Sequence, residues 1–210
     1  MPAPDAAFYF DLASPLAYLA AERVLHQLPG PAEWQPVLAR ELGPGAELEP
    51  GAEPFSALRR ETEEKIFRAE VEQHAQAQGL QPLKWPHPFP FDSALAMRVA
   101  TYAKSIGRTV PFIQAAFRQA FAGGHNLEQI DFVLIAAAAC EMHPAAVLKG
   151  AELRSIAEQL STTTALAAQA GVSDVPAVRV EERVWVGERA VQDAATHMRA
   201  MRAMISVEDR

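Results

Sequence analysis

The sequence predicts an α/β protein: a small sheet built from the two ends of the chain, with a large all-helical insertion between them. Three observations carry this. An apolar strand and an amphipathic helix open the chain, from Phe8 to Leu28. A proline, a strand, a tight connection, a returning strand and a last helix close it, from Val175 to Ile205. Between them, helical periodicity follows helical periodicity with no strand pattern. The sheet-bearing domain is therefore expected over residues 1–54 and 170–210, and the inserted helical domain over 55–169.

At the front, Phe8 and Phe10 alternate with Tyr9 and Asp11, as in a strand entering a buried sheet. Ser14-Pro15 marks the junction with the helix. Ser14 is a good N-cap, because its hydroxyl can accept from an orphan N–H of the first turn. Pro15 suits the next position, where a missing N–H costs nothing. Leu16, Leu19, Ala20, Val24 and Leu28 form the apolar stripe, and Pro29-Gly30-Pro31 ends it. A hydroxyl among unpaired N–H groups at the positive end of a helix attracts an anion. Taken alone, the same residues are an ordinary cap. Trp34 to Leu38 reads as a second strand, parallel to the first through a β-α-β connection.

Gly43 to Pro54 is rich in glycine, proline and glutamate and marks the domain boundary. Ser56 to Gln78 predicts a helix whose alternating charges form a solvated face, with His74 at its surface and Gly79 beyond its end. Leu83 to Phe91 is too proline-rich for helix or central strand. Its aromatics either anchor a loop to the core or wall a pocket for a flat apolar substrate. On the second reading the lining is Pro15, Trp85, His87 and Asp92. Asp92-Ser93 caps the next helix, which ends at Gly107. Further helical patterns run over 110–122, 127–141, 144–150 and 152–170.

At the back, Val175-Pro176 precedes the strand Ala177 to Val180, Glu181-Glu182-Arg183 connects, and Val184-Trp185-Val186 returns. Gly187 opens the last helix, where Glu188 in the first turn suits the dipole.

Composition excludes several functions. The 210 residues are 50% apolar and 21% charged, ordinary for a globular protein able to bury a sizeable core. A net charge of −7 argues against nucleic acid or an anionic membrane as partner. The chain has no apolar run long enough to span a bilayer and no leader pattern at Met1-Pro2-Ala3-Pro4-Asp5, so a cytoplasmic protein is expected. The one cysteine, Cys140, lies in an apolar helical run and reads as a small buried hydrophobe; no internal disulfide can form. No metal site is expected.

The two ends together resemble the thioredoxin fold. More closely, the chain resembles the DsbA-like thioredoxin superfamily, in the branch of 2-hydroxychromene-2-carboxylate isomerases and kappa-class glutathione transferases. The resemblance rests on the stretch from Phe8 to Leu19, on Pro88-Phe89-Pro90-Phe91-Asp92 before a helix, on Gly171-Val172 ahead of Val175-Pro176, and on Trp185-Val186-Gly187. It implies a cis Val175-Pro176 bond facing the first helix and a serine where redox relatives keep a cysteine. It also implies glutathione as cofactor and a small aromatic electrophile as substrate. Ser14 would hold the glutathione thiolate, with Val175, Pro176, Glu188 and Arg189 contacting the tripeptide. A homodimer is compatible with it. Three positions depart from the family: Asp92 for a common asparagine, Arg189 for an aspartate that receives the γ-glutamyl end, and a lysine-bearing segment with no clear match between Pro50 and Lys65. The alternatives are a redox-inactive DsbA-like binding or scaffold protein, and a DsbA-family oxidoreductase by fold only.

Overall fold

A computed structural model of the chain describes residues 6–43 and 61–208. The expected boundary over Gly43 to Pro54 and the search for a lysine segment between Pro50 and Lys65 fall mostly outside the described residues.

Strand β1, Ala6–Phe10, is buried along its length, and its side chains divide by the period of two. Phe8 and Phe10 face one core with Trp34; Ala7 and Tyr9 face another with Val37 and Ala177. Helix α1, Pro15–Gln27, follows, then β2, Glu33–Pro36, which pairs parallel to β1 with Trp34 opposite Phe8. The expected β-α-β unit is present. A short 3-10 turn, Ala39–Glu41, closes this part.

The intervening helices are α2 (Glu61–Ala77), α3 (Ala94–Ser105), α4 (Thr109–Phe121), α5 (Ile130–Ala138), α6 (Pro144–Glu152) and α7 (Arg154–Gln169). Strand β3 (Ala177–Val180) pairs antiparallel to β1, and β4 (Arg183–Val186) pairs antiparallel to β3. Helix α8, Ala190–Glu208, ends the chain. The sheet order is β2-β1-β3-β4.

One apolar cluster joins Phe8 and Phe10 of the sheet to Tyr18 of α1, Val191 and Met198 of α8, and Phe112, Phe117 and Phe121 of α4. The other face of the sheet packs Tyr9 and Ala177 against Ala167 of α7, Val172 and Val175. The sheet is thus sandwiched, with α1 and α8 on one side and α7 on the other.

Several helix starts differ from the sequence expectation for local reasons. The helix expected from Leu127 begins at Ile130, because Asn126 Oδ1 accepts the Glu128 N–H at 2.8 Å and makes a turn first. At the start of α3, Asp92 Oδ1 accepts the Ala94 N–H at 2.9 Å, while Ser93 makes no capping bond. Gly187 does not open the last helix. It takes φ +90° in a turn, and α8 starts at Ala190, so Glu188 lies before the helix.

Candidate functional site

Strand register gathers the site at one end of the sheet. The last β1–β3 pair is Tyr9 with Ala177, and the last β3–β4 pair is Ala177 with Val186. Hence the β1–α1 turn, the Val175-Pro176 bond and the Gly187-Glu188 turn leave the sheet side by side.

Ser14 caps α1 with φ −89° and ψ 114°, and its Oγ accepts the Ala17 N–H at 3.1 Å. Pro15 occupies the first helical position, as expected. The Ser14 hydroxyl keeps its own proton to donate. Ser14 is only 3% exposed, so a charge held there meets fixed dipoles more than water. Its N–H donates to the Asp11 carbonyl at 3.0 Å, closing the turn.

Asp11 is the residue that sequence reasoning passed over. It is 1% exposed, and its Oδ1 and Oδ2 accept the N–H groups of Ala13 and Ala39, each at 3.0 Å. Burial pushes its carboxyl up to about 6, against the opposing pull of those N–H bonds, the Ser93 hydroxyl and Arg40. A signal was available: Asp11 is the one charged residue in the apolar stretch from Ala6 to Ala21.

The Val175-Pro176 peptide is cis. The Pro176 carbonyl accepts the Gly187 N–H at 2.8 Å, and the Val175 N–H donates to Asp174 Oδ1 at 2.7 Å. Glu188 joins this end of the sheet. Its Oε1 lies 3.0 Å from His74 Nδ1, and its carbonyl accepts from Arg23 Nη2 at 2.9 Å. Burial lowers the Arg23 guanidinium, partly countered by Glu188. His74, expected as a plain surface residue, therefore ties α2 to the β4–α8 turn. Arg189 is not brought in: it is exposed and pairs with Asp193 at 3.2 Å.

The proline-rich segment anchors to the core through α4. Lys84 N–H donates to the Phe121 carbonyl at 2.8 Å. Trp85 lies 6.3 Å from Phe121, which stacks on Tyr18 of α1 at 5.7 Å. The other side of Trp85 is taken by Arg68, 4.7 Å over the ring, while its indole N–H donates to Glu72 at 2.7 Å. Asp92 is exposed and pairs with Arg40 at 2.8 Å. His87 is exposed.

A strand–helix front, a cis proline before the third strand and a helical insertion define a thioredoxin-like protein. The family described as the DSBA-like thioredoxin domain matches residues 7–199, and the chain belongs to it. No curated protein matches the sequence. Among solved structures, 2-hydroxychromene-2-carboxylate isomerase is similar with a TM-score of 0.79 at 17% identity, over 96% of this chain and 98% of that one. The cytosolic disulfide reductase DsbM from Pseudomonas aeruginosa is similar at 0.62 and 10% identity, over 97% and 99%. DsbA from the same organism is similar at 0.57 and 14% identity, over 98% and 88%. At these identities the likeness is one of fold. Among the described residues, no helix is long and apolar enough to cross a membrane.

Proposed function

We propose that the protein is a glutathione-dependent isomerase or transferase of the 2-hydroxychromene-2-carboxylate isomerase and kappa-class type, acting on a small aromatic electrophile in the cytoplasm. One observation carries this: a DsbA-like frame presents a serine, not a cysteine, at the head of α1. Its only cysteine is no substitute. Cys140 is buried at the end of α5, and burial pushes its thiol up. A reactive sulfur at this site must therefore arrive with a ligand.

Bound glutathione would supply a thiolate that adds to a conjugated double bond and departs after rotation about it, leaving the tripeptide unchanged. The protein's part is electrostatic. The Ser14 hydroxyl donates to the sulfur and the α1 N-terminus favours its charge. Lowering a thiol from about 8.5 by about 1–2 units, or about 1.4–2.7 kcal/mol, suffices to populate the thiolate at neutral pH. A charged hydrogen bond plus the helix dipole is of that size. On this reading Val175 and Pro176 would pair with the backbone of the tripeptide, once Asp174 gives up the Val175 N–H that it accepts. Glu188, one residue before the family's aspartate position, offers the carboxylate that Arg189 does not.

The binding-protein reading draws on one specific feature: the Val175 N–H is already accepted by Asp174. Calorimetric titration with reduced glutathione near neutral pH separates the two. Saturating heat in the wild type, weakened in Ser14→Ala, supports the enzyme; a flat trace at millimolar ligand removes it. Ser14→Ala should fold with a loss of about 1–2 kcal/mol, the cost of a cap, while losing glutathione-dependent turnover.

A further inference from the structure

Helices α1 and α8 enclose a polar cleft at the end of α1 farthest from Ser14. The cleft holds about 390 Å³ and is lined by Gln27 of α1 and by Gln192, Ala195 and Arg199 of α8. Gln27 is the last residue of the 13-residue helix that Ser14 caps, so the two lie about 20 Å apart along its axis. Gln192 and Arg199 stand two turns apart on one face of α8, with the small, buried Ala195 between them. We propose that this cleft binds a small aliphatic hydroxy acid, a carboxylate with a neutral hydroxyl close by. The site is separate from the Ser14 end and does not depend on what binds there.

Each polar group of the cleft calls for a particular complement. Gln27 Oε1 is buried and accepts no hydrogen bond from the described residues, so it calls for a donor. Arg199 gives Nη2 to the Gln27 carbonyl at 2.9 Å, which fixes its guanidinium at the cleft and leaves further N–H donors for an anion. Positive charge gathers around it. Arg23, one turn before Gln27 on the same face of α1, gives Nη2 to the Glu188 carbonyl, and its buried Nε has no partner among the described residues. Arg202 lies across the end of α1, where a Cβ on Gly30 would be 2.9 Å from its Nη2. The acidic groups next to these residues in sequence are engaged: Glu22 with Arg118, Asp193 with Arg189, and Glu188 with His74. The cleft is thus an electropositive spot on a chain of net charge −7. Its lining decides the class of ligand. Sites for flat apolar molecules are walled mainly by hydrophobic side chains, whereas only Ala195 is apolar here. A carboxylate suits the planar Arg199 fork, and a hydroxyl beside it satisfies Gln27 Oε1. An ammonium would also satisfy Gln27, but it would meet the repulsion of Arg23 and Arg199.

The test titrates the isotopically labelled full chain near neutral pH with L-malate, with succinate, which lacks the hydroxyl, and with inorganic phosphate. The side-chain amide signals of Gln27 and Gln192 are followed by NMR. Malate is expected to shift both signals saturably and to bind about fivefold tighter than succinate, and tighter than phosphate. Arg199→Gln should weaken malate about tenfold. Gln27→Glu, which sets a negative charge in the same place, should abolish binding. The comparison of the three anions needs only the wild type, so it decides the matter even where a variant fails to fold. No saturable shift at tens of millimolar malate, with solvent alone filling the cleft, overturns the proposal. Succinate or phosphate binding as tightly as malate also overturns it, as does malate affinity unchanged in Arg199→Gln.

Discussion

Arg118 of α4 grips Glu22 of α1 through two parallel bonds, Nε to Oε1 and Nη2 to Oε2, each at 2.8 Å. The pair sits two turns along α1 from Ser14 and fixes that helix to the helical insertion. Burial raises Tyr18 beside it, and Glu22 adds to that effect.

Because Arg118 is 55% exposed, the fork contributes modestly. Arg118→Lys, which keeps charge but cannot form both bonds, should cost about 1 kcal/mol. Denaturant unfolding measures it. A double-mutant cycle with Glu22→Gln should show that the loss belongs to the pair and not to either residue alone.

Gly150 of α6 allows a close approach to α3. A Cβ there would lie 2.4 Å from Cδ2 and 2.5 Å from Cγ of Tyr102 on α3. Since Cγ is the base of the ring, rotation cannot relieve the overlap. Gly150→Ala should lose about 2–3 kcal/mol despite the gain of about 1 kcal/mol in helix propensity. The Tyr102→Ala background should recover most of that loss in thermal unfolding.

Asp11 makes stability depend on pH with a definite sign. Its folded carboxyl, at about 6, is raised above the ordinary 3.8, so the folded state binds its proton more tightly than the unfolded chain does. Stability from this group is complete below about pH 4 and is lost as pH rises through about 6. The swing is about 3 kcal/mol. Urea unfolding between pH 4 and 7 should show this slope in the wild type and not in Asp11→Asn, whatever the variant's absolute stability.

Asp174 competes with any peptide ligand for the Val175 N–H, which it accepts at 2.7 Å. Removing its carboxylate in Asp174→Ala frees that donor. Glutathione should then bind about fivefold tighter, the worth of one exchanged hydrogen bond of about 1 kcal/mol. Weaker binding by calorimetry would place Asp174 among the groups that hold the ligand.

The frame was legible in the sequence because its signals are local. Ser14-Pro15 caps a helix through atoms three residues apart, and the alternation of Phe8 to Asp11 marks a strand whose two faces are both covered. Pairing partners were not legible. His74 meets Glu188, Arg23 meets the Glu188 carbonyl, and Asp11 meets Ala39, all across contacts that no short spacing encodes. The Trp85 segment shows the same division. Its prolines announced an irregular loop, while only the fold showed that Arg68 covers one side of the ring and Phe121 packs the other.

By itself, then, the sequence determined an α/β frame with a helical insertion, a serine at the head of the first helix and a chain with no second thiol. Periodicity, capping and residue counting act over one or two turns, so they survive without coordinates. The tertiary structure decided which charges share that helix head. It buried Asp11 in the turn that ends at Ser14, set Glu188 against His74, and turned Arg189 outward onto Asp193. Those outcomes depend on sheet register and on desolvation, and both arise only when distant segments pack together.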